Sequence, residues 1–404
     1  MSQMLDGIKV VELAIYAFVP SAGAALADWG AQVIKIEHPE TGDPVRGLVA
    51  YGVKPGDGGV TPLWEVFNRG KRSVGIDIHR PEGLELLMRL IDDADVFLTN
   101  FMQPARARLG IDVDAVLARN PRIIYGRGTG HGPTGPDADK GGFDGISYWS
   151  RPGVATAAIP PGYDFPIMLP GPAFGDVQSG MNLAGGVAAA LYRREKTGRG
   201  GVVDVSLLGS GLWAMGATIA GSYAIGQDNI VQLDRTRPEN PLANPYRSGD
   251  GRFFVLGMLE SDKYWHGFAK AVAPDLEADD RFSSFAARRQ HSPELVAALD
   301  QVFASMTMDR IAEVLNGQEG QWARVGFPRD AIHDEQALVS DYVRFMEYDN
   351  GAKLPITTVP VRFDGEDISM SRAPTHGEHT DEVVTALGRS EEELLQLKID
   401  GVIL

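Results

Sequence analysis

The chain has 404 residues, 44% hydrophobic and 23% charged, a balance that suits a soluble globular protein with two or three large cores. A formal net charge of −16 argues against general nucleic-acid binding, and the absence of cysteine excludes disulfides, thiolate metal sites and cysteine nucleophiles. The opening "MSQMLDGIKVVEL" lacks the layout of a signal peptide and no uncharged apolar run is long enough to cross a bilayer, so a cytoplasmic protein without membrane contact is expected.

"IKVVEL" (8–13) reads as a strand. Pro20 then opens a small-residue helix ending at Gly30. "QVIKIE" (32–37) and "SVGIDI" (73–78) follow as strands. Pro81 starts a helix, and "DVFLTN" (95–100) is the next strand. Residues 112–119 look helical and "RIIYGR" (122–127) strand-like. This alternation predicts a mostly parallel sheet with helices on its faces. Residues 128–175 carry many Gly and Pro with little periodicity, which predicts long loops near a site. A helix is expected after Asp176, ending at "TGRGG", then a strand at 201–207. The apolar run 207–225 is rich in Gly, Ser and Ala and predicts a buried helix. Residues 227–250 turn polar and Pro-rich and read as a linker. We therefore divide the chain into a large domain (1–226), a linker (227–250), a small domain of mixed strands and helices (251–328) and a C-terminal segment (329–404). There is no internal repeat.

Several motifs fall short of a chemistry. The strand–helix–strand opening resembles a dinucleotide-binding unit, and Glu37 ends the second strand where a ribose-binding acid would sit. Yet the first turn, "AIYAFVP", has no G-x-G-x-x-G, so NAD binding is not expected. His376 and His379 in "THGEHTD" have metal-like spacing but no third ligand, and no metal site is expected. His131 in "GHGPTG" reads as a surface histidine. No G-x-S-x-G is present. "NRGKRS" (68–73) places three cations before a strand. It is a solvated basic turn or, with less support, a phosphate-binding one.

Asp176 follows Gly175 and precedes the small-residue run "SGMNLAGGVAAAL". Two readings stand. It caps the helix with its carboxylate on the first free N–H groups. Or it is a nucleophile toward an activated acyl group, kept ionised by those same N–H groups and the helix dipole.

The stretches "GIKVVELA…P…ALADWGAQVIKIEHPETGDPVR", "FNRGKRSVGIDI", "ADVFLTNF", "FGDVQSGMNLAGGVAAALYRREKTGRG" and "RAPTHGEHTDEV" resemble, in order and over nearly the whole chain, the class III CoA-transferases, whose relatives include formyl-CoA transferase, carnitine CoA-transferase and the alpha-methylacyl-CoA racemases. The resemblance implies an α/β fold: a Rossmann-like large domain plus a smaller α+β domain, in an interlocked-ring homodimer whose final segment returns to the large domain. It implies Asp176 as the nucleophile, with an acyl-CoA and a carboxylic acid as substrates and no metal or redox cofactor. CoA contacts are implied at Ala17, Phe18, His38, Asn68, Lys71, Asn100, Phe101 and Arg108, and at Lys140, Phe143 and Asp144 in "KGGFDG". His38 stands where formyl-CoA transferase has an Arg.

Two departures narrow the activity. Phe143 stands where the racemases carry a catalytic His, and a racemase needs two acid/base groups, so transfer is favoured over racemisation. A glycine-rich flap between 240 and 265 is missing, so oxalate-type chemistry is not implied. The apolar stretch "SYWSRPGVATAAIPPGYDFPIMLP" (147–170) suggests a larger acid than formate or oxalate. A non-catalytic acyl-CoA-binding relative is the remaining alternative, opposed by the retained Gly175–Asp176 pair.

Overall fold

A computed structural model describes residues 3–49, 52, 60–160, 162–230, 234–365 and 367–404. Residues 231–233 of the expected linker and Pro161 of the apolar loop lie outside the described residues. Two compact units form: one from 1–159, 164–230 and 335–404, the other from 160–163 and 231–334.

The first unit is built on β1 (Lys9–Leu13), α1 (Phe18–Asp28), β2 (Gln32–Glu37), α2 (Pro62–Asn68), β3 (Arg72–Gly75), α3 (Pro81–Asp92), β4 (Val96–Thr99), α4 (Gln103–Arg108), α5 (Val113–Arg119) and β5 (Ile124–Thr129). A short α6 (Val154–Ala157), the long α7 (Phe174–Thr197), β6 (Gly201–Ser206), α8 (Leu207–Ala214) and α9 (Gly216–Ile225) complete that stretch. The six strands pair in parallel in the order β3-β2-β1-β4-β5-β6. The mixed α/β fold with a parallel sheet is thus as the alternation predicts.

Period-two alternation splits the core between the two faces of the sheet. Val10 joins a core with Leu26, Leu183 and Val187 under α1 and α7, while its neighbour Val11 joins Leu86, Leu87, Ile91 and Val116 on the other side. In α3 the buried set Leu86, Leu87, Leu90 and Ile91 follows helical spacing, and Pro81 occupies the first turn, where its missing N–H costs nothing. From β1 the chain runs to β2 and β3, then crosses back to β4 on the other side of β1. The connections diverge there, and a crevice opens beyond the carboxyl ends of β1 and β4.

The second unit holds β7 (Pro245–Arg247), β8 (Phe253–Leu256), α10 (Ser261–Val272), α11 (Pro274–Glu277), α12 (Phe285–Gln290), α13 (Ser292–Ala304), α14 (Met308–Asn316) and β9 (Trp322–Arg324). Its three strands pair antiparallel around a core of Tyr246, Phe254, Phe268, Phe303 and Ile311. The remainder of the first unit is α15 (Glu335–Val339), the antiparallel pair β10 (Val343–Glu347) and β11 (Lys353–Thr357), α16 (Thr380–Ala386) and α17 (Glu391–Ile399). There Thr380 Oγ1 accepts from the Gly75 N–H at 3.0 Å, and Ile403 bridges Ile76.

Two local expectations are corrected. The helix near Asp176 starts at Phe174, with Ala173 as its N-cap. The run 207–225 is two helices rather than one buried helix: only Leu207, Ser210 and Gly211 of α8 are buried, α9 has no buried residue, and Trp213 and Tyr223 are 86% and 90% exposed. Among the described residues, no helix is long and apolar enough to cross a membrane.

Candidate active site

A cleft of about 240 Å³ opens at the crevice between β1 and β4. Its walls come from the β1–α1 turn (Ile15 to Phe18), the β4–α4 turn (Asn100 to Gln103), the end of β5 (Gly128 to Gly130), the loop Ala138 to Phe143, and Asp176. The two turns are tied across the switch point. The Asn100 side chain accepts from the Ile15 N–H at 3.1 Å and donates to the Ile15 carbonyl at 2.7 Å.

Asp176 does not cap its helix. It is the third residue of α7, and no hydrogen bond to its carboxylate forms among the described residues. The capping carboxylate comes from elsewhere in the sequence. Asp144 Oδ2 accepts from the Gly175 N–H at 2.8 Å, and Asp144 also takes the Asp176 N–H. Gly175 is required by this arrangement. A Cβ there would stand 2.2 Å from the Tyr148 ring and 2.5 Å from Asp144 Oδ1.

This overturns the expectation that the helix terminus keeps Asp176 ionised. The free N–H groups are used by Asp144, so Asp176 receives desolvation and a like charge instead. Burial, and then the neighbouring Asp144, push its carboxyl up to about 7. Asp144 is itself raised by burial, opposed by its two backbone hydrogen bonds, and its Oδ1 has no partner. Two carboxylates with pKa values pushed upward in a cleft make a site for proton or acyl chemistry.

Of the implied CoA contacts, Ala17, Phe18, Asn100, Phe101, Lys140 and Phe143 line the cleft, and Asp144 stands behind Asp176. Lys140 pairs with Asp137 at 2.7 Å. Arg108 is exposed at the end of α4, outside the lining, and Arg106 lines the cleft in its place. Arg106 is only 2% exposed; its guanidinium reaches Gln103 Oε1 at 2.6 Å and the Tyr125 hydroxyl at 3.4 Å, with Nε unpaired. The signal for it was the i,i+3 spacing from Gln103, which puts the two on one helical face.

His38, Asn68 and Lys71 are not brought to the cleft. His38 Nδ1 accepts from the Glu40 and Thr41 N–H groups, and its other nitrogen faces Asp77 at 4.0 Å. The anion-binding reading of "NRGKRS" is corrected as well. The Lys71 ammonium has no exposure; it donates to Glu12 at 2.8 and 2.9 Å, to the Pro20 carbonyl and to Asn68 Oδ1. Glu12 also pairs with Lys35, which pairs with Asp43 at 2.8 Å. Arg69 is bound to Asp28 and Arg72 to Glu382. The basic turn is absorbed by acids, because cations this deeply buried need carboxylate partners. Gly23 makes room for the cluster, since a Cβ there would lie 1.9 Å from Glu12 Oε2.

The histidines that drew attention are tied elsewhere. His376 Nε2 bonds the His38 carbonyl, and His379 Nδ1 accepts from the Ser73 N–H. No cluster able to hold a metal occurs among the described residues. Glu37, at the ribose position, is bound by Arg46 and by the Ser73 hydroxyl. His131 packs beside Arg151 and Gly142 rather than in the lining.

Comparison with known proteins gives this geometry a setting. The model of CoA-transferase family III matches residues 5–380. The chain is 32% identical to (R)-2-hydroxy-4-methylpentanoate CoA-transferase of Clostridioides difficile, covering 99% of each. It is 30% identical to cinnamoyl-CoA:phenyllactate CoA-transferase of Clostridium sporogenes, over 99% of this chain and 97% of that enzyme. A crystal structure of a CAIB/BAIF family protein from Brucella suis superposes with a TM-score of 0.81 at 27% identity, covering 96% of this chain and all of that one.

Proposed function

The chain belongs to CoA-transferase family III, and on that premise we propose that it moves CoA from an acyl-CoA to a free carboxylic acid through covalent intermediates on Asp176. One observation carries this reading: Asp176 presents an unbonded carboxylate to the cleft, while Asp144 performs the capping that would otherwise occupy it.

An Asp176 oxygen attacks the donor thioester carbonyl and the C–S bond breaks. This leaves a mixed anhydride and a CoA thiolate. The thiolate attacks the Asp176 carbonyl, releasing the donor acid and forming an aspartyl-CoA thioester. The acceptor carboxylate attacks that thioester and the thiolate leaves again. Its attack on the acceptor's carbonyl in the second anhydride yields the new acyl-CoA and restores Asp176. No net proton is consumed, and the thioester energy is kept from water. The ionised form of Asp176 is the reacting one. In this reading backbone N–H groups of the glycine-rich wall at Gly130, Gly141 and Gly142 would stabilise the developing oxyanion. Phe143 at the racemase His position supports transfer over racemisation.

The CoA contacts in this reading are Ala17, Phe18, Asn100, Phe101 and Lys140, with Arg106 as the buried cation. The relatives named above act on a branched and an aromatic 2-hydroxy acid, and we take an apolar acid of that size as the acceptor class. Incubation with such acyl-CoAs and hydroxylamine is expected to leave a hydroxamate on the Asp176 peptide, read by mass spectrometry. An unmodified Asp176 in protein that demonstrably binds the acyl-CoA would refute the covalent route.

We also read the protein as a cytoplasmic homodimer of interlocked chains whose small domain is the second unit, begun already within 227–250 because β7 and Tyr246 belong to its sheet and core. The support for the dimer is α9, an apolar helix with no buried residue, beside the exposed Trp213. Single chains do not leave such faces to water. Light scattering is expected to give twice the chain mass of 43.6 kDa, and Trp213→Glu with Tyr223→Glu should lower it. A wild-type mass of one chain would end this reading.

A further inference from the structure

Tyr16 is one of few residues other than glycine with a positive φ, at +65°, and it lies on the cleft wall. A side chain with a Cβ is disfavoured there by about 1–2 kcal/mol, so something must hold it. The holding groups are on both sides. The Tyr16 N–H donates to Asp43 Oδ1 at 3.1 Å, and Asp43 is buried against Lys35. The preceding residue, Ile15, is clamped at N–H and carbonyl by Asn100. The turn is therefore fixed in a strained form that aims one aromatic ring at a chosen place.

What that ring meets is Phe143. The two rings make an edge-to-face contact, 5.6 Å between centroids at 87°. Phe143 is nevertheless 58% exposed, a large apolar surface left to water inside a cleft. It is also the residue next to Asp144, whose carboxylate holds the Gly175 and Asp176 N–H groups. The position of the Phe143 ring is thus registered to Asp176 through two adjacent backbone links.

We propose that Tyr16 and Phe143 form an aromatic clamp that receives the acyl group of the substrate, so that these two residues set the preference for flat or branched apolar acids. The clamp rests on the transferase reading of the same cleft. Bound acyl carbons cover the exposed face of Phe143 and pack on the Tyr16 ring, removing apolar surface from water. Short or charged acyl groups leave that surface wet and gain nothing from it.

The test compares acyl-CoA binding and turnover in Tyr16→Gly, Tyr16→Phe and Phe143→Ala. Tyr16→Gly removes the ring while suiting the backbone, so folding is preserved. Titration calorimetry with 3-phenylpropanoyl-CoA, 4-methylpentanoyl-CoA, acetyl-CoA and free CoA gives the binding arm. Tyr16→Gly and Phe143→Ala are expected to weaken the two larger thioesters at least about tenfold, with acetyl-CoA and free CoA changed less than about threefold. Tyr16→Phe should retain the preference. The ratio of kcat/KM for the larger over the acetyl donor should fall in parallel. Equal weakening of all four ligands would place the rings against CoA itself and overturn the proposal, as would an unchanged preference. Because binding is read directly, the clamp can hold even if no transfer is found. Turnover with an unchanged preference would spare the transferase reading and sink the clamp alone.

Discussion

Asp176→Asn is expected to abolish transfer, lowering kcat by about 10⁴-fold or more, because a carboxamide cannot form the anhydride and Asp139, the other carboxylate on the cleft wall, is exposed to water rather than buried beside Asp144. The fold should survive, since the capping bonds belong to Asp144. Stability should even rise with pH relative to the parent. Asp176 is raised above the usual aspartate range to about 7. The folded chain therefore holds a proton there that the unfolded chain releases. Its stabilising share is complete below about pH 4 and is lost as pH climbs through about 7. The Asn variant has no such loss. Its Tm advantage over the parent should grow between pH 5 and pH 8, and a constant difference would contradict the buried, like-charged setting. The first-step rate of the parent should likewise climb with pH through about 7, since the ionised carboxylate attacks. Asp144→Asn removes the neighbouring charge but keeps an acceptor for the Gly175 N–H. Its rate profile should move to lower pH, and an unmoved profile would show that the two carboxylates do not interact.

Glu12→Gln should produce the largest loss of stability. Glu12, Lys35, Lys71 and Asp43 are shut away from solvent, and Glu12 is the shared anion of both lysines. Burial alone would lower Lys35, yet Asp43, Glu12 and Glu37 outweigh it and raise it. Without Glu12, Lys71 keeps only neutral acceptors, the Pro20 carbonyl and Asn68. Burial already pulls Lys71 down to about 7 against the pull of Glu12, so without Glu12 the ammonium must give up its proton to stay buried. Breaking a buried ion pair from one side costs about 3–5 kcal/mol. Urea unfolding of the intact protein measures it. The same substitution should disturb the cleft, since Lys35 also bonds the Ala14 carbonyl and Asp43, which holds Tyr16. A loss of under about 1 kcal/mol would mean that water enters the cluster.

The sequence by itself determined the layers. Alternating strands and helices, each closed by its own Pro, Gly or polar residue, predict the parallel sheet from local periodicity alone. Gly175–Asp176 was legible from its own residues as a cap or a nucleophile, whereas the loop at 140–144 and the turns after β1 and β4 were legible as a site only through the family resemblance that their unbroken words carry. Which of their side chains meet was not. Asp144 caps α7 across 31 positions, and Lys71 reaches Glu12 across 59. A turn that reads as basic and solvated is neutralised by acids from other strands, and an aspartate that reads as a cap is left unbonded by a second aspartate. Tyr16 gives no sequence signal, because its left-handed backbone is imposed by Asp43 rather than by its own preference. Local propensity acts over one or two turns of chain. Hydrogen bonds and desolvation act between whatever the fold brings together, and only the tertiary structure decides that.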